Sequence, residues 1–131
     1  MNIREAVKQK RLYFDGGAGT LLQSQGLKSG EKPENWNLSH PEIITKMHKE
    51  YLSAGADIIT TNTFGVNRDK FNNYEEVIIA AVNCAKEACK SFENKYIAFD
   101  MGPTGKLLEP LGELKFEDAV SLFAENVKVA V

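Results

Sequence analysis

The stretch Leu12-Tyr13-Phe14-Asp15-Gly16-Gly17-Ala18-Gly19-Thr20 decides how this chain is read. A short apolar run ends in an acid, and glycines then turn the backbone away. The plan recurs twice. Ile58-Ile59-Thr60-Thr61-Asn62-Thr63 runs into Phe64-Gly65, and Tyr96-Ile97-Ala98-Phe99-Asp100 runs into Met101-Gly102-Pro103-Thr104-Gly105. Each reads as a buried strand with polar residues at its end, followed by a glycine loop. Helical sequence separates the three, and alternating strand and helix predicts parallel strands in an α/β fold. Parallel strands bring their C-terminal ends to one edge. Asp15, Asn62 and Asp100 are therefore expected to converge where α/β barrels and open α/β sheets bind ligands.

Working outward, strands are expected over 12–15, 56–61 and 96–100. Residues 2–10 read as a lead-in helix with Ile3 and Val7 on one side. The segment 26–37, with Gly30, Pro33, Trp36 and several charges, reads as a long loop. Ser39-His40-Pro41 predicts a helix start, with a capping hydroxyl and a proline near the first helical position. Ile44, Met47, His48, Tyr51 and Leu52 recur at helical spacing, and Gly55 stops that helix. Residues 67–73 read as a short helical turn. From Glu75, Ile78, Ala81, Val82, Ala85, Cys89 and Phe92 share one stripe. A loop over 102–113 leads to a last helix opening near Phe116, with Ala119, Val120, Phe123 and Val127 also on its buried face.

Composition bounds the class. A length of 131 residues suits one domain, 1–131, with no second one. Hydrophobic residues at 43% and charged residues at 26% are ordinary for a soluble globular chain. A net charge of −2 gives no basic surplus for nucleic acid or an anionic membrane. The apolar runs are too short to span a bilayer, and the N-terminus lacks the apolar core of a signal peptide, so a cytoplasmic location is expected. Cys84 and Cys89 fall in helical sequence, and a spacing of five sets them roughly 140° apart around a helix. They read as small buried hydrophobes rather than as metal ligands or a disulfide.

Three groups of residues can carry chemistry. Glycines directly after a strand let backbone N–H groups approach a ligand. An acid beside such a nest suits an α-amino acid: Asp15 would pair with the ammonium, and Gly16 and Gly17 would hold the carboxylate. The same residues also describe a tight turn capped by Asp15. Asn62 and Thr63 offer donors and acceptors at the next strand end, although Thr is also a common strand former. Asp100 is a second acid at the equivalent place. The two acids either perturb each other and share a cation, or each accepts N–H bonds in its own loop. His40 reads as part of a helix start and His48 as packed against the sheet. No lysine follows the glycines as in a P-loop, and Leu22 stands where a dinucleotide fingerprint has its third glycine. No HxH, HExxH or CxxC pattern suggests a metal.

Asp15-Gly16-Gly17-Ala18-Gly19-Thr20, Gly55-Ala56-Asp57-Ile58-Ile59-Thr60-Thr61-Asn62-Thr63-Phe64-Gly65 and Asp100-Met101-Gly102-Pro103-Thr104-Gly105 together resemble the homocysteine S-methyltransferase family. Within it the chain most resembles the N-terminal, homocysteine-binding module of cobalamin-dependent methionine synthases. Pro33-Glu34-Asn35-Trp36-Asn37 and His40-Pro41-Glu42 fit that group too. The resemblance spans nearly the whole chain, in order. It implies a (β/α)8 TIM barrel that binds homocysteine and zinc at the C-terminal ends of its strands, with zinc lowering the thiol pKa so that a thiolate attacks the methyl carbon. It implies that Asp15 binds the homocysteine ammonium, that Gly16 and Gly17 bind its carboxylate, and that Asn62, Thr63 and Asp100 line or brace the pocket. Ala18 stands where the family commonly has methionine.

The family's zinc ligands are cysteines of a late glycine-rich loop, and a further amino-group ligand is a glutamate at the fourth strand. Both are expected past Val131, and Cys84 and Cys89 do not match the zinc ligands. The chain thus reads as an α/β partial TIM barrel, its first three βα units only. It would carry part of the homocysteine pocket and no catalytic or metal residue. Zinc, methylcobalamin and the cobalamin- and folate-binding modules would belong to the full enzyme, which makes methionine, and the piece alone is expected to need no cofactor and to be inactive. Two alternatives stand beside this. A half-barrel with open sheet edges can self-associate or complement a C-terminal piece as a non-catalytic module. An α/β phosphate-binding domain would use the glycine loops as anion nests.

Overall fold

The computed structural model describes residues 1–131. The elements run α1 (Ile3–Gln9), α2 (Gly19–Ser24), a 3₁₀ turn (Pro33–Asn35), α3 (Trp36–Ser39), α4 (Pro41–Ser53), β1 (Ile58–Thr60), α5 (Tyr74–Cys89), β2 (Tyr96–Ala98) and α6 (Phe116–Ala130). β1 and β2 pair in parallel, with Ile58 opposite Tyr96 and Thr60 opposite Ala98. Phe14 adds one parallel bridge to Ile58 on the other side of β1. The spatial order is therefore the Phe14 segment, β1, β2, each parallel neighbour following the last along the chain.

Of the three strands expected, two form and the first shrinks to that single bridge. The Tyr13 carbonyl accepts from the amides of both Asp57 (2.8 Å) and Ile58 (3.0 Å), and the Tyr13 amide turns to the Asp57 carboxylate (3.0 Å). The side chain of Asp57 thus replaces a ladder rung. It also holds Lys10 at 2.8 Å, tying the end of α1 to the sheet.

Ile59 is fully buried beneath Leu52, Ala85 and Ala88, so β1 is the centre of the packing. A side chain of that size removed from water stabilises by about 2–3 kcal/mol. α5 packs against both α4 and α6. Its buried face is wider than the expected stripe: Val77, Cys84 and Ala88 join Ile78, Ala81 and Ala85, because two helices press on it from different sides. No helix is long and apolar enough to cross a membrane.

Several expectations need correction. The segment 26–37 is not a plain loop: it builds a 3₁₀ turn and opens α3, and its Leu27 and Trp36 join Leu22, Ile44, Met47 and Cys84 in one core cluster. The Trp36 indole N–H reaches Glu31 (2.7 Å), so the ring can be buried without an orphaned donor. Ser39 does not cap α4. It ends α3, and its hydroxyl meets His40 Nδ1 (2.7 Å). Residues 67–73 form turns without a helix, the Asn67 side chain accepting from the amides of Asp69 and Lys70. On α6 the buried residues are Ala119, Leu122 and Asn126, while Phe116, Val120 and Val127 are exposed. The Asn126 amide donates to the Val66 carbonyl (2.8 Å), and that bond turns the polar residue inward.

Candidate functional site

The loops that follow the Phe14 segment, β1 and β2 meet in a cleft of about 330 Å³. Asp15, Gly16, Gly17, Asn62, Thr63 and Asp100 all line it. The expected convergence of strand ends is therefore present, but the six residues are not equally free to meet a ligand.

Asp15 is half-buried and braces its neighbour. Its carboxylate accepts the Thr60 amide (2.9 Å) and the Thr60 hydroxyl (3.1 Å), which fixes the end of β1 against the first glycine loop. It caps no helix and accepts no N–H from its own loop, contrary to the turn-cap alternative, and lone pairs remain unused beside the cleft. The amides of Gly16 and Gly17 carry no hydrogen bond within the chain. The Gly17 carbonyl is held by the Tyr51 hydroxyl (2.5 Å), which anchors the loop and leaves its N–H groups available.

Asn62 spends both side-chain hydrogens on the chain, one on the Pro33 carbonyl (3.0 Å) and one on Asn37 Oδ1 (3.0 Å). Asn37 returns the bond by donating to the Asn62 carbonyl (2.8 Å). Thr63 is buried; its hydroxyl donates to the Asp100 carbonyl (2.7 Å) and touches the Thr61 hydroxyl (2.7 Å). The Thr61 hydroxyl in turn accepts the Asp100 amide (3.1 Å). Thr61 and Thr63 thus lock the backbone of Asp100 to the end of β1.

The Asp100 carboxylate itself has no hydrogen-bond partner in the chain, and it lines the cleft. Burial, then the nearby charges of Asp15 and Glu34, hold its pKa above the ordinary carboxylate value. An uncompensated acid of this kind is a natural partner for a cation. Glu34 was not expected here. It is 7% exposed, and its Oε1 accepts the Gly65 amide (2.8 Å). Two signals were available: an acid between Pro33 and Trp36 in a turn-rich segment, and its place in a stretch that fits the family resemblance.

Gly102 sits where no side chain fits: a Cβ there would lie 2.1 Å from the Phe64 carbonyl oxygen. The loops after β1 and β2 therefore touch backbone to backbone. His48 on α4 is fully buried with both ring nitrogens unpartnered. Burial lowers its pKa to about 4, against a smaller upward pull from Asp15. Cys84 is buried and Cys89 half-buried on α5, and burial raises both thiol pKa values. No three His, Cys, Asp or Glu side chains gather as a metal set, so the residues present do not fit a zinc site.

Among solved structures, the chain is similar to the metallated form of the homocysteine methyltransferase MmuM from Escherichia coli, with a TM-score of 0.83 at 17% identity. That match covers 97% of this chain and 52% of the other. The oxidized form of the same enzyme matches with a TM-score of 0.82 at 16% identity over 98% of this chain and 52% of that one. The apo form gives 0.71 at 19% identity over 98% and 47%. At such identities the likeness concerns the fold, and the chain spans about half the length of these relatives. The family model for homocysteine S-methyltransferase matches residues 12–131. By that match, which takes in all three strand-end loops of the cleft, the chain belongs to the homocysteine S-methyltransferase family.

Proposed function

We propose that the cleft is the amino-acid end of a homocysteine site, on the first three βα units of a TIM barrel. The observation that carries this reading is the free Asp100 carboxylate and the half-used Asp15 carboxylate lining one cleft with the unpaired amides of Gly16 and Gly17. An α-amino acid presents one cation and one anion on a single carbon. The ammonium would sit between Asp15 and Asp100 in charge-assisted bonds, and the carboxylate would lie on the glycine amides. Asn62 and Thr63 would act through the backbone they brace. The whole enzyme would transfer a methyl group to the homocysteine thiol and make methionine, with methylcobalamin, recharged from methyltetrahydrofolate, as donor. The residues that activate the thiol and present the donor would lie outside this set, so the chain by itself would bind homocysteine without turning it over. Three acids around the cleft disfavour a phosphate.

Calorimetric titration tests the reading. Homocysteine should bind, 4-mercaptobutyrate (the same thiol acid without the amine) should bind at least about tenfold more weakly, and Asp100→Asn should weaken homocysteine similarly. Equal affinity for the two ligands would overturn the ammonium assignment. Methyl transfer by the chain alone, with zinc and a donor added, would overturn the division of labour.

One observation favours a second reading, in which this face assembles with another chain. Ile97, Phe99, Met101 and Val127 line an apolar hollow of about 380 Å³ beside the outer side of β2. A second copy or a C-terminal piece could cover it. Sedimentation of a folded monomer at high concentration would count against that assembly.

A further inference from the structure

We infer that Glu34 is a positioning residue: it latches the turn Phe64-Gly65 so that the loops after β1 and β2 stand as fixed walls of the cleft. For its effect on ligand, this rests on the homocysteine reading above.

The latch has two sides. On one, Glu34 Oε1 accepts the Gly65 amide at 2.8 Å, and a Cβ on Gly65 would fall at that same 2.8 Å from the oxygen. On the other, Gly102 lies against the Phe64 carbonyl so closely that a Cβ there could not be placed. The turn is thus held between the 3₁₀ segment and the loop that carries Asp100. The 3₁₀ segment is itself pinned, because Asn62 holds the Pro33 carbonyl (3.0 Å) and the buried Asn37. Glu34 therefore cannot swing away to follow a moving turn. Glu34 is 7% exposed, and the Gly65 amide is the partner that compensates the burial of its oxygen. A neutral Gln would make the same bond. The acid adds a negative charge that Asp100 feels, and the charged groups acting on Asp100 are Asp15 and Glu34.

Two variants separate the bond from the charge. Glu34→Ala removes both, and Glu34→Gln keeps an oxygen acceptor. In the ligand-free chain, hydrogen exchange at the Gly65 amide should be slow in wild type and in Glu34→Gln, and fast in Glu34→Ala. Homocysteine affinity near neutral pH should fall by up to roughly 10- to 150-fold in Glu34→Ala, the worth of one charge-assisted bond, and stay within about threefold in Glu34→Gln. The acid limb of homocysteine binding should move to lower pH in Glu34→Gln, since Asp100 loses a charge that favours its protonated form. A merely structural glutamate would leave that limb in place. Unchanged Gly65 exchange in Glu34→Ala overturns the latch, as does equal loss of affinity in the two variants. If wild type binds no homocysteine while Gly65 exchange still accelerates in Glu34→Ala, the latch stands and the homocysteine reading falls.

Discussion

Asn37→Ala puts the Asn37–Asn62 clamp to a quantitative test. Asn37 is 1% exposed and exchanges two bonds with Asn62, at 2.8 and 3.0 Å, with a longer third to the Val77 carbonyl at 3.4 Å. Each neutral bond of good length contributes about 1 kcal/mol net. Removing Asn37 also strands the Asn62 carbonyl and one of its amide hydrogens at a half-buried position, where an unsatisfied group costs up to about 1–3 kcal/mol. Partial relaxation and water entry offset some of this, so the variant should lose roughly 2–4 kcal/mol of unfolding free energy. For a domain of this size that lowers the melting temperature by roughly 8–16 °C. Urea unfolding followed by circular dichroism gives the number. Asn62→Ala keeps the backbone carbonyl and removes only the Asn62 Nδ2 to Asn37 Oδ1 half of the exchange, so the double variant should fall short of additivity by about 0.5–1 kcal/mol. A loss below about 1 kcal/mol in Asn37→Ala, or strict additivity with Asn62→Ala, would refute the clamp. It would return Asn62 to the role of a direct ligand, in which Asn62→Ala weakens homocysteine binding without touching stability.

His48 predicts an acid weakness of the fold. Its folded pKa of about 4 lies below the ordinary 6.5, so as pH falls through that window the unfolded chain takes up a proton that the folded chain refuses. The cost approaches roughly 3 kcal/mol near pH 4, and His48→Leu should remove that part of the pH dependence of the urea midpoint while matching wild type near pH 7. Equal slopes for the two proteins between pH 7 and 4.5 would show that His48 is already paired. Gly102→Ala forces a Cβ to within 2.1 Å of the Phe64 oxygen, so the two loops must part. It should cost about 1–3 kcal/mol in unfolding and weaken homocysteine binding in calorimetry, and a variant with unchanged affinity would show that the loop contact does not shape the site.

Where the cleft lies was legible because strand ends in a parallel sheet are a matter of topology. Three apolar runs, each closed by polar residues and a glycine loop, require that their loops share one edge, whatever the strand lengths. Strand length was not legible. The Leu12–Asp15 run has strand composition, yet Asp57 takes the Tyr13 amide and leaves one bridge, a decision made by a side chain more than forty residues away. The faces of α5 and α6 were only half legible, since helical periodicity assumes one packing partner. α5 has partners on two sides, and Asn126 turns α6 inward through the Val66 carbonyl. The segment 26–37 hid most. Its turn residues are real, but Leu27 and Trp36 enter the core from it, and Glu34 and Asn37 reach the site from it.

Residue type alone cannot say whether a polar group at a strand end faces ligand or protein, because that depends on where its hydrogens go. Asn62, Thr63 and Asp100 look equivalent in sequence, yet their bonds sort them. Both Asn62 donors are spent within the chain, and Thr63 gives its only donor to the Asp100 carbonyl. Each is therefore a brace. Asp100 has its backbone held at both N–H and C=O and its carboxylate held by nothing, the arrangement that preorganises a charge for a ligand. Asp15 stands between, part of its carboxylate bracing Thr60 and the rest open to the cleft. The distinction has a measurable edge: variants of Asn62 and Thr63 should change stability first and homocysteine affinity through it, whereas Asp100→Asn should change affinity while leaving the urea midpoint nearly where it was, or raising it slightly, because a half-buried uncompensated charge is removed.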